Sequence, residues 1–346
     1  MSGLLLLLAV AGAGWLFGLP RRLLAAVLVL IWLGIVAVHA VWPVRGALLG
    51  GSMRGWLVAG GVAVLALAYR EALRRLRARA VPVAAAPETG PQEAELDRYA
   101  RHLVLREIGG PGQMRLRGAR VLVVGAGGLG APVCLYLAAA GVGRITVADD
   151  DRVSLSNLQR QVIFRSDQQG RPKAQAAAGA MVALNPDVEV TPLPRRITAE
   201  DAGLIAGHDL VLDGTDSFAA RAAINRACVA AGVPLIAGAI AQWEGQVTLY
   251  DPARGGPCLT CLFPDAPAPG LAPPCAEAGV VGPLPGVVGS LMALEAIKYL
   301  TGAGQGLRSR MLIFDGLYGE TRMIGTARRP DCPVCGSALA GGGEAS

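Results

Sequence analysis

The chain has 346 residues and a formal net charge of +6 at pH 7, and 53% of its residues are hydrophobic. This length accommodates one large α/β domain together with an additional segment. The charge is unevenly placed: residues 1–80 contain nine arginines and one glutamate, which leaves 23 basic and 25 acidic residues in the rest of the chain. Since nucleic-acid binding calls for a basic stripe on the folded domain, the net charge is no evidence for binding DNA.

Three apolar stretches without charged residues occupy residues 3–19, 23–44 and 55–69. Their length and hydropathy predict transmembrane helices. A secretory signal peptide is the alternative for the first stretch. A signal peptide begins with a basic region, however, and no basic residue precedes this stretch. We therefore expect residues 1–80 to form a membrane anchor, with three spans preferred over two.

The arginines around these stretches predict the orientation of the anchor. Arg21 and Arg22 lie between the first two stretches, and five arginines follow the third, within residues 70–79. Three spans put both clusters on one side of the membrane, which the positive-inside rule identifies as the cytoplasm. The prediction is an inner-membrane protein whose remaining domain faces the cytoplasm.

A linker of residues 81–92, rich in proline and alanine, precedes a domain predicted to cover residues 93–340. Arg120–Val124 is an apolar strand, followed by a helix over residues 131–140 and a second strand, Arg144–Ala148, which together form a β-α-β unit. The alternation of strands and helices predicts a Rossmann-like α/β fold with a mostly parallel sheet and helices on both faces. Residues 266–289 are predicted to form a long irregular loop. Further strands are predicted at residues 188–192, 210–213, 235–239, 246–250 and 311–314.

A glycine-rich loop directly follows the first strand and opens the next helix. It contains Gly125, Gly127, Gly128 and Gly130, and its main-chain amides face any phosphate bound there. Asp149, at the end of the second strand, is placed to bind a ribose hydroxyl. These two features alone are compatible with NAD, FAD or ATP.

The segment after the second strand separates these possibilities. Residues 149–161 are strongly polar and supply Asn157 and Arg160, and Lys173, one of only two lysines in the chain, follows. A basic residue by itself is usually a solvated surface charge, but several after a phosphate loop suit displacement at phosphorus, which needs cations around the phosphates. Hydride transfer has no such requirement.

Two aspartates end the predicted strand at residues 210–213 and the turn that follows it. Asp216 is the candidate magnesium ligand, because Mg²⁺ in nucleotide sites is usually held by one or two carboxylates and by phosphate oxygens. Asp213 has a common structural alternative, which is to cap the next helix.

Two Cys-x-x-Cys pairs, Cys258 with Cys261 and Cys332 with Cys335, predict a structural zinc site with four thiolate ligands. A redox pair is the alternative, made less favourable by the presence of two pairs. Cys275 lies in the predicted loop and is either an acceptor thiol for an acyl group or an ordinary loop cysteine, since no flanking cation lowers its pKa.

With these residues in view, the chain from Arg98 to about Gly336 resembles the MoeB/ThiF/HesA family, bacterial relatives of the ubiquitin-activating enzymes. Of its branches, the molybdopterin-synthase adenylyltransferases (MoeB) are the most similar. Two features depart from the family: Ser217 stands where asparagine is usual, and the N-terminal segment has no counterpart in typical members. The resemblance rests on the glycine loop, both cysteine pairs and residues 98–101, 149–151, 153–161, 172–173, 213–216, 244–246 and 275–279.

The resemblance implies a homodimer on a mixed, mainly parallel sheet, in which Arg101 of one subunit reaches the nucleotide of the other. It also implies a nucleotide site for ATP with Mg²⁺. In that site Asp149 binds the ribose with Asp151 beside it, Asn157, Arg160 and Lys173 bind the phosphates, and Asp216 binds the metal.

The function implied is ATP-dependent adenylation of the C-terminal glycine carboxylate of a small ubiquitin-like sulfur carrier that ends in Gly-Gly and resembles MoaD. Its products are the acyl-adenylate and pyrophosphate, and its pathway is molybdopterin biosynthesis. The alternatives are a ThiF-like enzyme that activates a ThiS-like carrier for thiamine biosynthesis and uses Cys275, adenylation of a tRNA-linked carboxylate, a non-catalytic membrane scaffold for a ubiquitin-like partner, and an NAD-dependent oxidoreductase.

Overall fold

A computed structural model describes residues 2–18, 20–42, 44, 48–79, 93–266 and 279–336. The chain divides into two compact units, Met1–Gly90 and Pro91–Ser346. Cys275 and the linker at residues 81–92 lie outside the described residues.

Within the described residues, the first unit contains the helices α1 (Ser2–Leu16), α2 (Arg21–Val41) and α3 (Met53–Arg79). Among the described residues, Leu23–Val41 and Met53–Ala72 are long and apolar enough to cross a membrane, a test of length and composition only. Helix α1 has 15 residues and so rises about 23 Å, less than the hydrocarbon core of about 30 Å. The third span and the membrane itself stay predictions.

Helices α2 and α3 are held together by a tryptophan of each. The indole Nε1 of Trp32 donates a hydrogen bond of 3.1 Å to the main-chain oxygen of Trp56. A Cβ atom on Gly60 would lie 2.2 Å from the Trp32 ring, so only glycine allows this close approach.

The second unit is built on one eight-stranded sheet. The α-helices of the part that the structure describes are α4 (Glu93–Arg98), α5 (Ala100–Leu103), α6 (Gly109–Gly118), α7 (Gly130–Ala139), α8 (Lys173–Leu184), α9 (Ala202–Ile205), α10 (Phe218–Ala231), α11 (Leu259–Leu262) and α12 (Pro283–Thr301). Its strands are β1 (Arg120–Val124), β2 (Arg144–Ala148), β3 (Glu189–Leu193), β4 (Leu210–Asp213), β5 (Leu235–Ala241), β6 (Glu244–Tyr250), β7 (Arg310–Asp315) and β8 (Glu320–Gly325).

The strand order is β3-β2-β1-β4-β5-β6-β7-β8. The first five strands are parallel, and β6, β7 and β8 each pair antiparallel with their predecessor. The Rossmann-like α/β prediction and its mixed, mainly parallel sheet are confirmed. Strand β8 escaped prediction because all six of its residues are exposed, so no buried face imposes an alternating pattern.

The predicted irregular loop at residues 266–289 extends too far. Helix α12 begins at Pro283, within a stretch whose prolines and glycines indicated loop. Proline is compatible with the first turn of a helix, where its missing N–H would have no partner. The apolar residues that follow then carry the helix into the core.

Alternate residues of β1 face two different cores. Val121 and Val123 pack with residues of α7, α8 and α12, whereas Leu122 and Val124 pack with residues of α10. Helices therefore cover both faces of the sheet at its centre, which is why β1 and its neighbours β2 and β4 are largely apolar. Because the chain leaves β1 toward β2 and leaves β4 toward β5, a crevice opens at the carboxyl ends of these two strands, where open α/β sheets bind ligands.

Candidate nucleotide site and zinc centre

The glycine loop after β1 is shaped by two close main-chain contacts. Gly125 has a φ of +87°, and its N–H donates to the oxygen of Ala148 over 2.8 Å. A Cβ on Gly130 would lie 1.7 Å from the oxygen of Gly125. The loop can therefore turn sharply into α7 only with glycine at these positions, which leaves main-chain amides and the N-terminus of α7 facing the crevice.

The Asp149 carboxylate joins the glycine loop to the segment after β2. Its Oδ2 accepts from the main-chain N–H of Ala126 at 2.7 Å, and its Oδ1 accepts from that of Asp151 at 2.8 Å. Burial raises the pKa of Asp149, while these two donors and the charge of Lys173 oppose the shift. Asp149 thus lies beside the phosphate loop, as expected for a ribose ligand.

Lys173 begins α8 and directs a buried ammonium group toward the same region. Its side chain is 4% exposed, and its Nζ lies 2.9 Å from Oδ2 of Asp151. The main-chain N–H of Lys173 also donates to the oxygen of Asp151 over 2.8 Å. The structure therefore brings together two predicted nucleotide contacts that are 22 residues apart.

Arg160 lies over the glycine loop. Its Cδ is 3.8 Å from the position that a Cβ on Gly128 would take, and its guanidinium donates to Oδ1 of Asn157 at 3.1 Å. A second bond, of 3.3 Å, goes to the main-chain oxygen of Ser156. Arg160 and Asn157 are thus placed as one unit beside the glycine loop.

The turn after β4 shows that one predicted alternative, a capping role for Asp213, is wrong. Asp213 does not cap α10; its Oδ1 accepts from the N–H and hydroxyl of Thr215, at 2.9 and 2.7 Å. The cap is Ser217, whose Oγ accepts from the N–H of Ala220 at 3.1 Å. Serine caps helices about as well as asparagine, so the departure from the family keeps the helix start. Asp216 is exposed at the crevice.

One basic residue at this edge escaped the sequence analysis. Arg196 follows β3, and its Nε donates to Oδ2 of Asp150 over 2.7 Å. Its charge also interacts with Asp151 and Asp216, and these carboxylates, Asp150 first, raise its pKa. The available signal was its position just beyond a strand that ends at the same edge as β1 and β2.

Arg101 is exposed on α5, on a different element from the nucleotide contacts above. Its reach into the site of a second subunit stays a prediction.

Carboxylate oxygens of Asp149, Asp150 and Asp151 lie within 4.8 Å of one another, so this cluster, like Asp216, offers oxygen ligands to a cation. Oxygen ligands are those that Mg²⁺ prefers.

The four predicted zinc ligands converge in a second, separate centre. The Sγ–Sγ distances are 3.8 Å for Cys258–Cys261, 3.6 Å for Cys258–Cys332 and 3.4 Å for Cys261–Cys335. A tetrahedral zinc with Zn–S bonds of about 2.3 Å requires edges of about 3.8 Å, whereas a disulfide requires about 2.05 Å. All four thiols are buried. The geometry fits zinc, and each of these three distances is too long for a disulfide.

Asn225 of α10 attaches this centre to the domain. It is 1% exposed, its Oδ1 accepts from the N–H of Leu259 at 2.9 Å, and its Nδ2 donates to Oγ1 of Thr260 at 3.3 Å. The first cysteine pair is therefore held on the helix that begins at the turn carrying Asp216.

A cavity of about 990 Å³ lies at the opposite edge of the sheet, away from the glycine loop. Its cations already have partners: Arg254 and Arg308 share the buried Asp251, Lys298 pairs with Glu295, and Arg115 donates to the oxygen of Thr301. Helices α10 and α12 also end there, which adds partial negative charge. Because its cations are paired in this way, the cavity does not favour the binding of an anion.

The glycine loop at a strand switch point, with cations and carboxylates around it, defines a nucleotide-binding α/β domain. Residues 99–334 match the ThiF family, so the chain belongs to this family, as the sequence predicted, and is an adenylyltransferase.

Several named proteins are similar to this chain. It is 50% identical over 247 residues to a sulfur carrier protein adenylyltransferase of Thermus thermophilus, covering 70% of this chain and 91% of that protein. It is 49% identical over 243 residues to a SAMP-activating enzyme E1 of Haloferax volcanii, covering 70% and 89%. It is 44% identical over 245 residues to the molybdopterin-synthase adenylyltransferase of Escherichia coli, covering 70% and 98%.

Among solved structures, Escherichia coli MccB with ATP superposes with a TM-score of 0.60 at 24% identity, covering 69% of this chain and 74% of that one. MccB with MccA-N7isoASN gives a TM-score of 0.61 at 23% identity, covering 70% and 74%. At this identity the likeness shows the fold alone.

Proposed function

We propose that this protein activates the C-terminal glycine carboxylate of a ubiquitin-like sulfur carrier by transferring AMP to it from ATP, and that the carrier is MoaD-like and serves molybdopterin biosynthesis. The observation that carries the proposal is the convergence of Lys173, Arg160, Asp149 and Asp216 around one glycine loop. A domain that only bound a partner would have no use for two cations beside a phosphate loop.

In the reaction, a carboxylate oxygen of the carrier attacks the α-phosphorus of ATP. The P–O bond to the β-phosphate breaks, and pyrophosphate leaves with that electron pair. The attacking carboxylate is ionised at neutral pH, so no general base is needed and catalysis reduces to alignment and charge stabilisation. Lys173 and Arg160 stabilise the phosphate charge, and Mg²⁺ held by Asp216 would neutralise the leaving pyrophosphate.

Exposed apolar side chains beside the crevice support a folded protein as the second substrate. Trp243, in the β5–β6 turn, is 44% exposed, and Leu317 and Tyr318, in the β7–β8 turn, are 55% and 77% exposed. The two turns are neighbours, because Glu244 pairs with Asp315 and the N–H of Gly316 donates to the oxygen of Trp243. A carrier seated on this patch would deliver a flexible Gly-Gly tail to the nucleotide.

A homodimer belongs to the same proposal. Tyr136 on α7 and Leu294 on α12 are each 55% exposed, on two helices that pack against each other. A second copy covering this apolar face would bury it and would bring its own Arg101 to the nucleotide.

We also propose that residues 1–80 anchor the enzyme in the inner membrane with its catalytic domain in the cytoplasm, supported by the two apolar helical segments.

The test is ATP–pyrophosphate exchange by the full-length protein in detergent, with carriers supplied one at a time. A MoaD-like carrier is expected to support exchange, and the matched control is the same carrier without its two terminal glycines, which should support none. Exchange only with a ThiS-like carrier would move the pathway to thiamine and make Cys275→Ser the next variant. No exchange with any carrier, from folded protein that contains zinc, would refute the proposed reaction.

A further inference from the structure

Asp213 is a buried carboxyl group beside the nucleotide site that the reaction above does not use. It is the last residue of β4 and is 1% exposed. One carboxyl oxygen accepts both donors of Thr215, and the other, Oδ2, has no hydrogen-bond partner among the described residues. Burying a carboxyl group is costly unless its hydrogen bonds offset that cost, so the role of Asp213 is sought in the two bonds that Oδ1 accepts.

The two bonds to Thr215 determine the course of the chain between β4 and α10. Gly214 is held against the end of β1, because its N–H donates to the oxygen of Val124 over 2.9 Å. It also lies close to the glycine loop, since a Cβ on Gly214 would lie 3.1 Å from the N atom of Gly130. The guanidinium of Arg221 holds the oxygen of Thr215. Ser217 then begins the helix, so Asp216 is the exposed residue between two restrained neighbours.

We propose that Asp213 is the positioning residue for Asp216: through Thr215 it fixes the turn that presents the Asp216 carboxylate to the magnesium–nucleotide complex. The inference rests on the proposed function for the identity of that complex. Only Oδ1 takes part in the turn, so an asparagine, which keeps this oxygen, suffices for the role. Burial raises the pKa of Asp213, opposed by Arg221 and Thr215, so the carboxylate charge is a cost that asparagine avoids.

The experiment measures binding of the ATP analogue AMPCPP to the full-length protein in detergent, with Mg²⁺ and in Mg²⁺-free buffer. The readout is the ratio of the two affinities. Asp213→Ala is expected to lower this ratio roughly 10-fold, as loss of a group that orients a metal ligand does, and Asp213→Asn to leave it unchanged. In an Asp216→Ala background, Asp213→Ala is expected to have no further effect, because it acts through Asp216.

A merely structural role gives a different pattern. Asp213→Ala would then lower the affinities for AMPCPP with and without Mg²⁺ by the same factor and leave their ratio unchanged. Alternatively, the double variant would show the product of the two single-variant effects. Either result overturns the inference. If Asp213→Ala fails to fold, an Asp213→Asn protein with a lowered ratio overturns it equally. No carrier enters this measurement, so a failure of the proposed carrier reaction is seen separately, in the exchange assay.

Discussion

Replacing Lys173 with methionine should abolish most of the activity and change the stability of the fold only slightly. The Lys173 side chain is 4% exposed, and Asp151, its ion-pair partner among the described residues, has a side chain that is 64% exposed. Removing the ammonium leaves the Asp151 carboxylate in water, so no buried charge is left unpaired, and it also removes the desolvation cost of the buried cation. The loss should then resemble the about 0–1 kcal/mol of an exposed pair, and methionine fills a similar volume. The free energy of unfolding should therefore change by no more than about 1 kcal/mol.

The expected loss of activity follows from the proposed contact between Lys173 and a phosphate of ATP. A unit charge about 4 Å from a phosphate charge contributes about 4 kcal/mol at an effective dielectric constant of about 20. If that interaction acts on the transition state, its loss lowers turnover about 1000-fold. The assay is ATP–pyrophosphate exchange with the active carrier, alongside thermal unfolding of the same protein.

The second lysine of the chain provides a matched control. Lys298 lies 13 residues beyond Pro285, the residue of α12 that contacts Gly128, and hence about 20 Å along the helix. Its partner, Glu295, is 3% exposed, so Lys298→Met should cost about 3 kcal/mol of stability and leave exchange nearly unchanged. Wild-type exchange by Lys173→Met, or equal losses of exchange in both variants, would refute the electrostatic reasoning.

Three further predictions concern the rest of the domain. Cys335→Ser should lower the zinc content, measured by metal analysis, and the melting temperature, because three thiolates and a hydroxyl hold zinc more weakly than four thiolates; unchanged zinc content would contradict the four-thiolate site. Asn225→Ala leaves the N–H of Leu259 without its acceptor and should cost about 1–3 kcal/mol in denaturant unfolding, whereas the surface variant Asp265→Ala should cost little. The hydrogen bond from Arg195 lowers the pKa of Asp201 from 3.8 to about 2. The stabilisation is thus complete above pH 3.8 and lost as the pH falls toward 2, so Asp201→Asn should flatten the acid limb of unfolding in that window, and an unchanged limb would contradict this.

Much of the fold follows from local pattern. Strands β1, β2 and β4 begin and end where the apolar runs predict, because parallel strands covered on both faces are continuously apolar. The antiparallel strand β8 gave no such signal, since every residue in it is exposed. Helix α12 was obscured by the prolines and glycines in its first two turns.

For the site, the sequence by itself determined the chemical inventory: a glycine loop, carboxylates, cations and four thiols at recognisable spacings. Only the tertiary structure decided which of them meet. Lys173 reaches Asp151 across 22 residues because the connection after β2 returns on itself, with an antiparallel bridge between Arg152 and Pro172. The cysteine pairs meet across 74 residues because the chain after β8 returns to α11. The roles of Arg196 and Asp213 depend on partners that no local pattern specifies, and so they became visible only when the strands were assembled.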